Sequence, residues 1–369
     1  MTIVSRRAFL AAGAAGLVLG AVRLRPAAAS VGGPVFLSAR SDLEGGHGVA
    51  AFRLDGSVRF EQPLPQRAHG AALRPGGAEV AVFARRPGAY LAVFDARDGT
   101  PRHRVAAAPG RLFYGHGVYS ADGRLLYATE SAYDDADPGV IGIYDAAAGY
   151  ARLGDIGAGG VGPHDIRLMP DGETLVVAVG GIRTHPDTPR VKLNLADMDP
   201  SLTYIDSGNG AVLEQVRHPP ALHQNSMRHL AVTGDGLVLC VQQWEGAPAE
   251  KPPLVALHRR GGPLRLLEAP AEVTGRLRNY CGSCCVDASG RVGVVSAPRG
   301  GLVTLWDLAE ERYLAAVEMP DGCGVAADGT PGGFVVTSGA GGALRHGHGP
   351  LPGTVLDLRR WDNHLIRLA

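Results

Sequence analysis

The sequence predicts an all-β fold, a seven-bladed propeller closed by its C-terminal strand pairing into the first blade. Three observations predict it. A histidine, alternating apolar residues, a Pro/Asp-Gly or Gly-Gly turn and a second apolar run recur as His69-Gly-Ala-Ala-Leu-Arg-Pro-Gly-Gly, His116-Gly-Val-Tyr-Ser-Ala-Asp-Gly, His164-Asp-Ile-Arg-Leu-Met-Pro-Asp-Gly and His229-Leu-Ala-Val-Thr-Gly-Asp-Gly. Strand endings of the form hydrophobic-x-Asp recur as Val93-Phe94-Asp95, Ile143-Tyr144-Asp145, Tyr204-Ile205-Asp206 and Leu305-Trp306-Asp307. The chain also has two loose ends: strands from Pro34 to Leu64 that lack an opening strand, and Trp361-Asp362-Asn363-His364-Leu365-Ile366, an opening strand without a blade. Self-similarity at this period marks an array or a propeller. Joining the loose ends leaves no long unpaired edge.

Taken in order, residues 1–29 read as an export signal and stand apart from the fold. Ser5-Arg6-Arg7-Ala8-Phe9-Leu10 is a twin-arginine sequence, Leu10 to Val22 is apolar, and Ala27-Ala28-Ala29 supplies small residues before a cut. The apolar run is shorter than the roughly 20 residues needed to span a bilayer. Export by the twin-arginine pathway to the periplasm, with no stable membrane anchor, is therefore expected. Residues 30–369 are expected to form a single propeller domain of roughly 48 residues per blade. Full four-stranded units are expected at 68–108, 114–156, 163–217, 225–268, 279–317 and 323–358, and the seventh is the split pair of ends. The 53 glycines and 26 prolines suit many short strands and turns, and no sustained helical period occurs outside the signal.

Removing the signal leaves 32 basic residues against 36 acidic ones, a net −4, so nothing points to nucleic acid or an anionic membrane. Lys192 and Lys251 are the only lysines, which limits Schiff-base chemistry to two candidates. No Gly-x-Ser-x-Gly elbow, phosphate loop or His-Glu-x-x-His occurs, which argues against serine hydrolase, nucleotide and zincin chemistry. Without Cys-x-x-Cys-His, covalent haem has no attachment site.

In a propeller the opening strands line the central channel, so His69, His116, His164, His229 and His364 are expected to cluster at one mouth of it. Several neutral imidazoles around one axis suit iron, copper or zinc. The competing reading is structural, with each histidine bonding backbone between blades. Asp165 and Asp362 stand beside His164 and near His364 and are candidates to orient the imidazoles. The long loop Gly180 to Asn194, carrying Arg183, His185, Asp187, Lys192 and Asn194, is expected to cover that mouth as an ordered lid. Cys281, Cys284 and Cys323 are candidate thiol partners, as a disulfide or soft-metal ligands, while Cys240 reads as a core thiol. The acidic run Tyr133-Asp-Asp-Ala-Asp137 reads as a solvated loop, since its spacing matches no known cation loop.

The twin-arginine signal together with Gly115-His116-Gly117, Gly162-Pro163-His164, Gly181-Ile-Arg-Thr-His-Pro-Asp187, Lys192-Leu-Asn194, Arg228-His229-Leu-Ala, Ser296-Ala-Pro-Arg-Gly-Gly301, Asp321-Gly-Cys-Gly324 and Trp361-Asp-Asn-His364 resembles an uncharacterised family of exported bacterial propellers. That family is described as iron-regulated and is similar to quinoprotein-amine-dehydrogenase-like and YVTN-like seven-bladed chains. The resemblance implies a role in iron acquisition, beside imelysin-type proteins and haem-containing oxidoreductases as partners, and transfers no catalytic residue. Cys281, Cys284 and Cys285 depart from the family pattern. The expected function is a periplasmic binding or accessory protein whose histidine mouth holds iron, copper or an iron complex. The alternatives are a metal-dependent redox enzyme or lactonase-like hydrolase at the same mouth, and an interaction scaffold without metal.

Overall fold

The computed structural model describes residues 33–136, 138–188, 191–352 and 358–369. The proposed signal, residues 1–29, and Asp137 of the acidic run lie outside the described residues. Seven four-stranded antiparallel sheets are arranged as blades. Blade 1 takes its innermost strand, Arg360–Arg367, from the end of the chain and its other three, Val35–Ser41, His47–Arg53 and Val58–Leu64, from the beginning. Blades 2 to 7 follow in sequence at 68–106, 112–157, 163–217, 225–267, 283–318 and 322–350. The innermost strands contact one another in order, and Arg360–Arg367 touches those of both blade 7 and blade 2, which closes the ring. Main-chain bonds from Val35 to Ala369 and from Leu368 to Val35 pin the junction.

Strand composition sets the position of each strand in its blade. Middle strands such as Glu79–Ala84 and Thr174–Val179 are almost continuously apolar and buried, because neighbouring blades cover both of their faces. Outermost strands such as Pro101–Ala106 are polar and exposed. Since side chains alternate across a strand, the two faces of one strand serve two different cores. Val80 and Val82 pack toward blade 1, whereas Ala81 and Phe83 pack toward blade 3. The buried apolar side chains accordingly form seven clusters, one at each junction between blades.

The closing junction packs Trp361 against Phe52, with ring centroids 5.2 Å apart, beside Phe36, Val335 and Leu365. Trp361→Ala is expected to cost about 3–5 kcal/mol, as for other buried aromatic truncations. Equilibrium urea unfolding of the purified chain checks this. One expectation is corrected in detail: a helix of six residues, Ala271–Arg276, interrupts the strands between blades 5 and 6. No helix among the described residues is long and apolar enough to cross a membrane.

Candidate metal centre

Pairing between the innermost strand and its neighbour slips in blades 1, 2, 3, 4, 5 and 7. Only blade 6 keeps regular register there. Such bulges re-aim side chains and recur beside functional sites. In five of the six slipped blades the shift falls at or next to the histidines, and in blade 7 it falls at Cys323. His69 and His164 are the second residues of their strands, while His116, His229 and His364 are the fifth of eight. Two of them therefore stand near a strand start and three further along, yet the ring brings all five together.

Their ring centroids lie 4.4 Å (His69–His364), 4.5 Å (His116–His364), 4.6 Å (His229–His364), 4.7 Å (His164–His229) and 4.9 Å (His69–His116) apart. Two sets, His69–His116–His164 and His116–His229–His364, each present one ligating atom per residue within 4.8 Å of the others. His116 belongs to both. Close approach of the inner strands depends on glycine. A Cβ on Gly70 would stand 2.6 Å from the Gly115 carbonyl and 2.9 Å from His116 Nδ1, and one on Gly115, whose φ is +106°, would stand 2.9 Å from His69 Cδ2.

Two buried carboxylates orient the cluster. Asp362 accepts from His69 Nδ1 at 2.8 Å and also from Arg67, Arg85 and the Asn363 main chain. Asp165 lies 3.3 Å from His116 Nδ1 and accepts from Arg167 and from the main chain of Ile166 and Leu230. Each carboxylate thus serves a histidine of the adjacent blade and not that of its own: Asp165 and His164 are neighbours that face apart, and the register shift of Arg360–Arg367 falls between Trp361 and Leu365, where Asp362 and His364 lie. A carboxylate only accepts, so His69 Nδ1 carries a proton, and in the neutral ring that burial favours its Nε2 keeps the lone pair. Burial opposes ionisation of both aspartates, but the facing imidazoles and guanidiniums prevail and hold them well below the usual carboxylate range.

Burial favours the neutral form of four of the five imidazoles. Burial pushes His69 down to about 4 and His164, His229 and His364 well below the ordinary histidine value. Several of their nitrogens lack partners: His116 Nε2, His164 Nδ1 and His229 Nδ1 are buried and unbonded. His69 Nε2 and His364 Nε2 face each other at 3.2 Å. An ion about 2.1 Å from both would see them at roughly 100°, an ordinary coordination angle. The donor set, neutral nitrogens with carboxylates behind two of them, therefore fits a borderline transition metal.

Above the cluster lies a cavity of about 560 Å3, lined by His69, His164 and His229, by Arg67, Arg85, Arg86 and Arg228, and by Tyr114, Tyr280 and Asn363 among others. Sequence reasoning missed these arginines. They are spread over three separate segments and carry no motif; the signal available was the Arg85-Arg86-Pro87 phrase at the end of a middle strand, on the face where the histidines emerge.

Residues 62–368 match a family described as a protein of unknown function, DUF1513. The chain belongs to that family. No curated protein matches it. Among solved structures, hydrazine synthase of Kuenenia stuttgartiensis is similar, with a TM-score of 0.62, 18% identity, and coverage of 79% of this chain and 86% of that one. At that identity the likeness is one of fold.

In this DUF1513 chain the lid residues stay away from the histidines. Asn194 clasps the loop by accepting from the Arg183 main chain and donating to the Gly181 carbonyl. Arg183 reaches the Ala136 carbonyl of blade 3, and His185 packs edge-on against Tyr133 and lies 3.5 Å from Asp134. Asp187 is exposed, 3.5 Å from His185. Lys192 pairs with Glu245, which also faces Arg228 in the cavity wall. Expected as a lid over the histidine mouth, the loop instead braces the rim with its described residues, which supply no ligand because their side chains are taken by blade 3 and Glu245.

The cysteines are free thiols. Cys281 and Cys284 sit in the apolar junction of blades 5 and 6, and burial raises the first to about 12 and the second well above the usual thiol value. Cys323, also raised to about 12 by burial, occupies the inner strand of blade 7 and points its sulfur at the carbonyls of Thr337, Trp361 and Asp362. Thiols held neutral in this way are poor metal ligands. In blades 6 and 7 the places that histidine fills elsewhere fall to Ser283, 3.4 Å from His364 Nδ1, and to Cys323.

Proposed function

We propose that this propeller is an exported metal-binding protein of iron acquisition, with iron or copper held on the axis by the histidine cluster. The observation that carries the reading is the pair of Nε2 atoms of His69 and His364 at 3.2 Å, backed by the Asp362 carboxylate on His69 Nδ1. Histidines serving only to join blades would point their nitrogens at main-chain carbonyls. Here His69 and His364 point at each other within hydrogen-bonding distance, and His116 Nε2, His164 Nδ1 and His229 Nδ1 are buried without partners, which costs free energy unless an ion meets them. The twin-arginine signal supports export after folding, and the family resemblance supports iron and, as partners, exported imelysin-type proteins and haem oxidoreductases.

Elemental analysis of the protein exported by its own host tests this. The expected result is iron or copper at near one ion per chain. A protein that is metal-free and takes up neither iron, copper nor zinc refutes it and leaves the scaffold reading. The large cavity bordering the cluster also favours a second reading, in which the same ion acts on a substrate in redox or hydrolytic chemistry. Substrate-dependent turnover by the loaded protein, absent from the metal-free chain, distinguishes the two.

A further inference from the structure

The cavity wall carries more positive charge than its surroundings neutralise. Five cations, Arg67, Arg85, Arg86, Arg228 and the rim residue Lys192, meet three carboxylates, Asp362, Glu245 and Asp321. Arg67 and Arg85 are both spent on Asp362, and Glu245 is shared between Lys192 and Arg228. Arg228 is 7% exposed, and its Nε has no partner. The Arg86 guanidinium makes no hydrogen bond or ion pair among the described residues. Burial lowers Arg86, and the nearby Arg228 and Arg85 lower it further, yet a guanidinium stays charged. Five like charges crowded into a half-buried wall with only three counter-ions are costly unless a bound anion completes the site.

We propose that this arginine collar binds an organic anion bearing several carboxylates, directly over the histidine cluster. Planar guanidiniums match carboxylates in fork-to-fork pairs. The volume, about 560 Å3, is that of a small-molecule site and far exceeds a single inorganic oxyanion. Tyr114, Tyr280 and Asn363 add hydroxyl and amide groups to the same wall. One carboxylate lies on Arg86 and Arg228, and another reaches the axial ion. The inference rests on the metal reading for this second contact only.

The test uses propane-1,2,3-tricarboxylate, a weak chelator, titrated by calorimetry into the mature metal-loaded protein at low salt, with metal content measured afterwards. The expected result is saturable binding, no binding of the uncharged trimethyl ester, and inorganic phosphate weaker by at least tenfold. Arg86→Gln weakens tricarboxylate binding about tenfold or more, Arg86→Lys recovers part of it, and neither changes metal content. Unaltered binding in Arg86→Gln, or phosphate equal to the tricarboxylate, overturns the proposal. The two readings separate cleanly. A metal-loaded chain that binds no tricarboxylate sinks the collar alone. A chain that never takes metal but binds the tricarboxylate through Arg86 sinks the metal centre alone.

Discussion

Replacing His116 by alanine is expected to abolish the metal binding proposed for the histidine cluster. His116 is the one residue common to both ligand sets, so no alternative triad survives its loss. Its Nδ1 faces Asp165 and its Nε2 is buried without a partner, so the ring is oriented to offer a lone pair and does nothing else with it. Loss of a supporting residue alone lowers metal affinity about 10–100-fold, and loss of the ligand itself is expected to exceed that. Elemental analysis after dialysis against a weak chelator reads the effect. His229→Ala leaves the set His69–His116–His164 intact and is expected to retain more metal than His116→Ala. Equal retention in the two variants would show that the triads are not the binding units.

Asp362→Ala produces the largest loss of stability among the site variants. The carboxylate is 1% exposed and simultaneously meets His69, Arg67 and Arg85, so its removal leaves two guanidiniums and an imidazole facing a void. Breaking a fully buried pair by deleting one partner costs about 3–5 kcal/mol, and because Arg67 and Arg85 keep 46% and 34% of their side chains exposed, water offsets part of that here. Chemical unfolding of metal-free wild type and variant measures it without interference from bound ion. The same variant releases His69 from its fixed orientation and is expected to weaken metal binding by about 10–100-fold. Asp165→Ala makes the parallel case for His116, through Arg167 and the Leu230 main chain. A variant as stable as wild type would mean that the arginines find other partners, and that the carboxylate serves the ligand alone.

Most of the architecture was legible in the sequence because a propeller writes the same physical instruction seven times. Each blade needs an apolar middle, a polar outer strand and a tight turn, and those demands leave a period that survives without conserved identities. The gathering of His69, His116, His164, His229 and His364 followed from that period alone. What the period could not carry is direction. Which histidine Asp165 or Asp362 serves depends on bulges that turn side chains by one position, and a bulge has no sequence signature here beyond a nearby glycine. The loop was legible, but not as a brace, since its charges have two possible destinations and only packing against Tyr133 and Glu245 chooses between them. The arginine collar stayed hidden for a related reason. Its members come from the ends of different strands, and nothing in one dimension records that they share a wall.

The five histidines and the two carboxylates behind them are contributed by five blades, and the last strand of the propeller supplies both His364 and Asp362. A growing chain therefore holds at most the set His69–His116–His164: until that strand arrives, His69 lacks both its orienting carboxylate and its facing imidazole. The set His116–His229–His364 is thereby completed only at the moment the circle is finished. If the proposed ion is held by both sets, its full coordination reports complete assembly, which a truncated or misthreaded copy lacks.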